Sequence, residues 1–218
     1  IKNPGDSTYT GGLLIRTGTS TSEASSLYHD NGSATTTVLA NRYDNAGAAI
    51  KLILRASSGS PVTALTAFGS GEVTTPNQPS FKAVRTTGNN WTQTTGTTIQ
   101  PFNNEVWDDG GNYNTSTYKF TAPVAGVYHF THQCNAYSVS TSEAVLIMIY
   151  TDGGYYFVGQ ISGDTPLAGG DQYGCGSVDV KLAAGEDAWA AVSVSGTSVG
   201  FSSHTGGIYN AFSGYLVG

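Results

Sequence analysis

The stretch beginning at Gly126, GVYHFTHQCNAYSV, reads as one long alternating strand. Tyr128, Phe130, His132 and Cys134 share one parity, and residues two apart in a strand share a face. The same habit recurs along the chain in shorter runs, separated by Gly, Asn, Asp and Thr clusters. No stretch carries a 3.6-residue apolar period. The chain is therefore read as all-β. Just before the long run stands FTAPVAG, with Pro123 and Gly126 three residues apart. Pro opens a turn and Gly permits backbone angles closed to other residues. The segment is expected to be a strand, a tight corner and a second strand.

A break is expected near Pro76 and Pro79. Residues 1–78 read as a small β-rich module and residues 79–218 as a larger one. In the first, GGLLIRT, TTTVLANRY, AIKLILRAS and PVTALTAFG carry the strand signals. Ile50, Leu52 and Leu54 fall on one face there, and the module has few aromatic residues to build a core. A module so thin is marginal alone. Intertwining three copies would cover its apolar face. In the second module ten segments read as strands: SFKAVRT, TTIQPF, EVWDD, STYKFTA, GVYHFTHQCNAYSV, EAVLIMIYT, YYFVGQIS, GSVDVKLAAG, DAWAAVSVSG and GIYNAFSGYLVG. That density of strands and turns predicts a sandwich or jelly roll. The expected inward sets include Val178, Val180 and Leu182, and Ala188, Ala190, Val192 and Val194.

One strand is apolar on both faces. In AVLIMIY, Val145, Ile147 and Ile149 fill one side, and Leu146, Met148 and Tyr150 fill the other. An antiparallel strand normally shows one face to water. The outer set is expected to meet another subunit, with cover by a long loop as the alternative.

Charged residues make up only 11% of the 218, against roughly 25% in ordinary globular chains. Surface polarity then falls to Thr, Ser, Asn and Gly, as in extracellular and virion β proteins. A net charge of −6 lacks the basic footprint of a nucleic-acid binder. No run approaches 18 apolar residues, so no membrane insertion is expected. No signal-peptide pattern is legible, and the opening at Ile1 without Met suggests a segment upstream. Cys134 shares parity with the core residues and reads as a buried free thiol, with a bridge to Cys175 as the other reading. His132 reads as an inward, hydrogen-bonded residue, with metal ligation as the outside option.

With the strand order in hand, residues 79–218 resemble the globular C1q domain, a relative of tumour necrosis factor. PSFKAVR opens the match, TTIQPF leads into NNEVWDDGGNYN, and YKFTAPVAGVYHF, VDVKLAAGED and a terminal FSGYLVG follow in order. The resemblance implies a ten-stranded jelly roll assembled as a tight homotrimer. Residues 1–79 depart from it, because metazoan members usually carry a Gly-X-Y collagen stalk there and this chain has no such period. AIKLILRASSGSPVTALTAFGSGEVTTPNQPSF instead looks like the shaft-to-tip junctions of bacteriophage fibres, especially from marine phages.

Little in the chain points to catalysis. Gly196-Thr197-Ser198-Val199-Gly200 matches G-x-S-x-G with His204 nearby. The nucleophile elbow needs a strand, a strained turn and a helix, whereas this Ser lies between two β runs and reads as a hairpin turn. Asp108, Asp109, Asp152 and Asp171 each sit beside glycines as turn residues. They are also the candidate ligands for a calcium ion, the cation such loops would take; no other cofactor is expected. Asn31, Asn90 and Asn114 match the N-glycosylation pattern, as chance matches in a chain this rich in Asn, Thr and Ser. The candidate receptor-binding residues are Trp91, Trp107, Tyr113, Tyr155, Tyr156, Tyr173 and Tyr209, aromatic residues in or beside polar loops. Aromatic faces beside amides and carboxylates suit sugar rings, though about half of these residues would serve equally as plugs at the ends of the sandwich.

The expected protein is a non-enzymatic virion appendage, a trimeric fibre or spike. Its knob would bind a glycan or protein receptor on the host surface, and its shaft other virion proteins. A capsid decoration or head-fibre protein of the same fold is the first alternative, and a secreted C1q-like lectin the second.

Overall fold

The computed structural model describes residues 12–15, 25–30, 36–41, 47–55, 59–85, 90–164, 170–196, 198–202 and 209–218, with side chains from residue 39 onward. Every regular element among them is a strand. The chain divides into two compact units between Asn77 and Gln78. The Asn31 site, Thr197 and His204 lie outside the described residues, as does the side chain of His29.

The first unit contains β1 (Gly12–Ile15), β2 (Ser25–Asp30), β3 (Thr36–Asn41), β4 (Ala49–Leu54), β5 (Val62–Phe68) and β6 (Val73–Thr74). They form two three-stranded antiparallel sheets, β1-β2-β3 and β4-β5-β6. Ile50, Leu52 and Leu54 lie opposite Ala67, Leu65 and Val62, with a bulge between Leu52 and Ile53. That row stays open, since Leu52, Leu54, Val62 and Val73 are all exposed. Ile53 on the opposite face is exposed as well. The β4-β5-β6 sheet has apolar residues on both sides and a sealed core on neither.

The second unit is a two-sheet sandwich. Its strands are β7 (Ser80–Val84), β8 (Trp91–Gln93), β9 (Gly96–Ile99), β10 (Asn104–Asp109), β11 (Tyr113–Asn114), β12 (Lys119–Thr121), β13 (Gly126–Tyr137), β14 (Ala144–Thr151), β15 (Gly154–Ser162), β16 (Asp171–Leu182), β17 (Asp187–Val194), β18 (Val199–Phe201) and β19 (Ala211–Leu216). Each of the ten expected segments contains a strand. The short strands β8, β11 and β18 are additional, so the described unit has thirteen strands where ten were expected. One sheet runs β10-β7-β19-β13-β16, with β18 and β8 continuing where β19 ends. The other runs β11-β12-β17-β14-β15, with β9 on the far half of β17. All pairings are antiparallel, and the arrangement is jelly-roll-like.

The alternation of β13 explains the core. Tyr128, Phe130, His132 and Cys134 are fully buried between the sheets. Phe130 joins Phe81, Phe120 and Phe212, with ring centroids 5.7 to 6.4 Å apart. Each such ring contributes about 1.5–3 kcal/mol by leaving water. A second cluster collects Cys134, Val145, Ile147, Val192, Val194 and Phe201. The corner before β13 is fixed from both sides: Tyr128 O–H donates to Val124 O at 2.8 Å, and Val127 N–H donates to Gly218 O at 2.8 Å. The sandwich closes at one edge where β15 approaches β16. There a Cβ on Gly176 would collide with the Val158 carbonyl, so that backbone contact requires glycine.

His132 is hydrogen-bonded in the core. Its Nδ1 lies 3.0 Å from Met148 O and its Nε2 lies 3.2 Å from Gln100 Oε1. Burial pushes its pKa down to about 4, so the ring is neutral and has one N–H. Met148 O and Gln100 Oε1 both only accept, so the single ring N–H serves one of them at a time. Cys134 and Cys175 are both free thiols. Cys175 pairs with Gln133, so it points out of the sheet face while Cys134 points in. A bridge between them is geometrically closed.

Candidate functional site

The candidate aromatic residues divide into packing residues and exposed ones. Tyr113 is buried on β11, and its O–H donates to Phe102 O at 2.9 Å. Its ring stacks on Phe81 at 5.1 Å. Trp91 stacks on Phe201 at 4.7 Å and is capped by the Arg85 guanidinium 4.8 Å from its ring centroid. Both rings are therefore held by packing contacts within the sandwich. Trp107 is exposed at the edge of its sheet, with Lys82 Nζ 5.8 Å from the ring centroid. Tyr173 and Tyr209 meet at 6.0 Å on the outward side of the β13/β16 sheet.

Among the described residues, the largest exposed aromatic group lies on the other sheet. Tyr155, Tyr156 and Phe157 follow one another along β15 at 63%, 38% and 56% exposure. β15 ends the sheet's strand order, so these rings sit at its margin. Tyr155 lies opposite Tyr150, which in turn lies opposite Trp189. The three rings form a ladder with centroid spacings of 5.3 and 5.6 Å. Lys119 Nζ closes its far end, 4.2 Å from the Trp189 centroid and 3.1 Å from Asp187 Oδ2.

This ladder changes the reading of β14. Leu146 and Tyr150 are half-buried and Met148 is 4% exposed within one chain. Met148 is flanked by Phe157 and Ala191 on the adjacent strands. Met148 is thus covered by neighbours in its own sheet, while Leu146 and Tyr150 keep part of their surface open. Tyr155 and Phe157, one strand outward, are exposed as well. A sequence reading misses the cover of Met148 because cross-strand cover depends on register, which alternation alone does not fix.

The four candidate metal ligands do not converge. Asp108 Oδ2 accepts from Tyr113 N–H at 2.8 Å, Asp109 Oδ2 from Ser80 O–H at 2.6 Å and Asp152 Oδ2 from Asp187 N–H at 2.9 Å. Asp171 lies opposite Tyr137, at the start of β16. Among the described residues no three His, Cys, Asp or Glu side chains gather as a metal-binding group. A calcium ion takes six to eight oxygens, which these separate carboxylates do not supply.

One arrangement absent from the sequence reading is a polar line on the outer face of β13. Asp179 Oδ1 lies 2.6 Å from His129 Nδ1, and His129 Nε2 lies 3.3 Å from Thr131 Oγ1. The order resembles a nucleophile-base-carboxylate relay. It lies along an exposed strand face, however, and not at a strand-to-helix turn; no helix occurs among the described residues. Ser198 likewise lies between β17 and β18. The His129 line is surface hydrogen bonding, and Ser198 is an exposed residue in the turn between two strands.

A sequence profile of the C1q domain matches residues 80–217. A complement C1q subcomponent of Rattus norvegicus is 30% identical over 116 residues, which cover 53% of this chain and 42% of that relative. The chain thus spans about two fifths of the length of the curated relative it matches. Among solved structures, Eiger TNF from S. frugiperda matches with a TM-score of 0.46 at 10% identity, over 65% of this chain and 94% of the other. Murine APRIL in its pH 8.0 structure matches with a TM-score of 0.47 at 11% identity, over 64% and 99%.

Proposed function

This chain belongs to the C1q domain family, and from that premise we propose that it is a non-enzymatic, homotrimeric binding protein carried on a virus particle. Residues 79–218 form the knob, which engages a glycan or protein receptor on the host surface. Residues 1–78 form the shaft, which joins other virion proteins. The observation that carries this reading is the run Tyr155-Tyr156-Phe157, exposed at the margin of a sheet whose interior is already filled. Contiguous exposed apolar residues of this kind mark interaction surfaces. Three copies would cover Tyr155 and Phe157, with Leu146, Met148 and Tyr150 behind them. Within the first unit, Leu52, Leu54, Val62 and Val73, which its own sheet leaves open, would likewise be covered by association of three copies. Three weak receptor sites on one body then add through effective concentration.

The test has two arms. Antibody labelling of the parent particle locates the chain, and added free protein competes for adsorption of particles to cells. Labelled fibres together with blocked adsorption support the reading. Labelled shell with unaffected adsorption replaces it with capsid decoration. Absence of the chain from particles favours a secreted lectin.

A further inference from the structure

We propose that a polar cavity beside β11 binds a single neutral hexopyranose, the terminal sugar of a surface glycan; this rests on the receptor reading above and names its ligand class. The cavity measures about 410 Å³ and is lined by Glu105, Asn112, Asn114, Thr115, Thr121 and Pro123 over Tyr113. That volume falls within the roughly 300–1,000 Å³ of small-molecule sites.

The walls are held before any ligand arrives. Tyr113 is anchored by its hydroxyl to Phe102 O and by its amide to Asp108 Oδ2. Thr121 N–H donates to Asn112 O at 2.8 Å, and Thr121 O–H donates to Asp187 Oδ1 at 2.7 Å. Asn114 Oδ1 accepts from Ser116 N–H at 2.8 Å and Thr117 N–H at 3.1 Å. Both lone pairs of that oxygen are engaged, which fixes the orientation of the carboxamide. Its Nδ2 is left with two hydrogens and no protein acceptor among the described residues. The Glu105 carboxylate, too, has no protein hydrogen-bond donor among them. It lies close enough to Tyr113 that its charge, after burial, helps to raise that phenol's pKa.

The available groups select the ligand. A carboxylate only accepts and an amide NH₂ only donates, whereas each sugar hydroxyl does both. Glu105 can take the O–H of two neighbouring hydroxyls, Asn114 Nδ2 can donate to a third oxygen, and Thr115 Oγ1 can do either. Pro123 provides an apolar rim for the C–H face of the ring. An acidic sugar or a phosphate would meet Glu105 with no lining cation, on a chain of net charge −6. A calcium ion would find one lining carboxylate where it needs several oxygens.

The test uses the whole chain and a panel of methyl hexopyranosides, with glucuronate as the acidic control, read by saturation-transfer NMR and titration calorimetry. Glu105→Gln and Asn114→Asp are the variants. The second retains the acceptor for Ser116 and Thr117 while removing the NH₂. At least one neutral glycoside should bind, with glucuronate weaker. Each variant should weaken binding about tenfold or more, as expected for loss of a charge-assisted or uncompensated hydrogen bond, with unchanged sedimentation and thermal midpoint. Absence of binding by every neutral glycoside, or binding equal in both variants and wild type, overturns the proposal. Adsorption competition by Glu105→Gln equal to wild type discards this pocket and leaves the receptor reading standing. Glycoside binding without any adsorption competition does the reverse.

Discussion

Lowering the pH from 7 to 5 should weaken the fold through His132. Its ring is fully buried, with Nδ1 3.0 Å from Met148 O. Desolvation pushes its pKa down to about 4, against about 6.5 in an unfolded chain. Between those values the unfolded chain binds a proton that the folded chain does not. The stability associated with a neutral His132 is therefore complete above about pH 6.5 and is lost as pH falls toward 4. Each tenfold rise in proton concentration across that window removes about 1.4 kcal/mol. The loss is about 2 kcal/mol by pH 5 and levels off near 3 kcal/mol below pH 4. Urea unfolding at fixed protein concentration, at pH 7 and pH 5, measures the difference. His132→Phe removes the titration and the ring's hydrogen bonding. It should be less stable at pH 7 but should lose about 2 kcal/mol less than wild type on going to pH 5. Equal losses in the two proteins would show that His132 is not buried as a neutral ring.

Three further outcomes follow from the packing. Gly176→Ala places a methyl against the Val158 carbonyl and should cost about 1–3 kcal/mol or more, read as a lower thermal midpoint. Cys175 is exposed, while Cys134 is buried with its pKa pushed up to about 12; the native protein should consume one equivalent of a thiol reagent, and the second only in denaturant. Phe81→Ala removes a ring stacked on Tyr113 and Phe120 at 5.1 and 4.8 Å and should destabilise by about 3–5 kcal/mol, seen as a lower urea midpoint.

Much of the fold was legible where alternation ran long. The parity of β13 fixed Tyr128, Phe130, His132 and Cys134 as inward, because one buried face leaves a strand a single register. Ala188, Ala190, Val192 and Val194 are buried for the same reason. Strands of two or three residues carry no period of their own, so β8, β11 and β18 were invisible, whereas the equally short β12 was legible from the longer segment STYKFTA around it. That is also why Trp91 and Tyr113 looked like loop residues: each stands among Asn and Thr or Asn and Gly, yet is fastened to a distant strand. The outward cover of Met148 and the His129–Asp179 pair depend on registers between strands far apart in sequence. The cavity beside β11 was illegible on the same ground. Its floor is Tyr113, expected at the surface, and Glu105 reaches it from a different strand.

The mass of the chain in solution tests the threefold account most directly. Sedimentation equilibrium of the full chain at micromolar concentration, alongside a Tyr155→Ser/Phe157→Ser variant, should give about three times the 22.6 kDa chain mass for wild type and one chain mass for the variant. A wild-type protein that remains at one chain mass while folded would contradict the account.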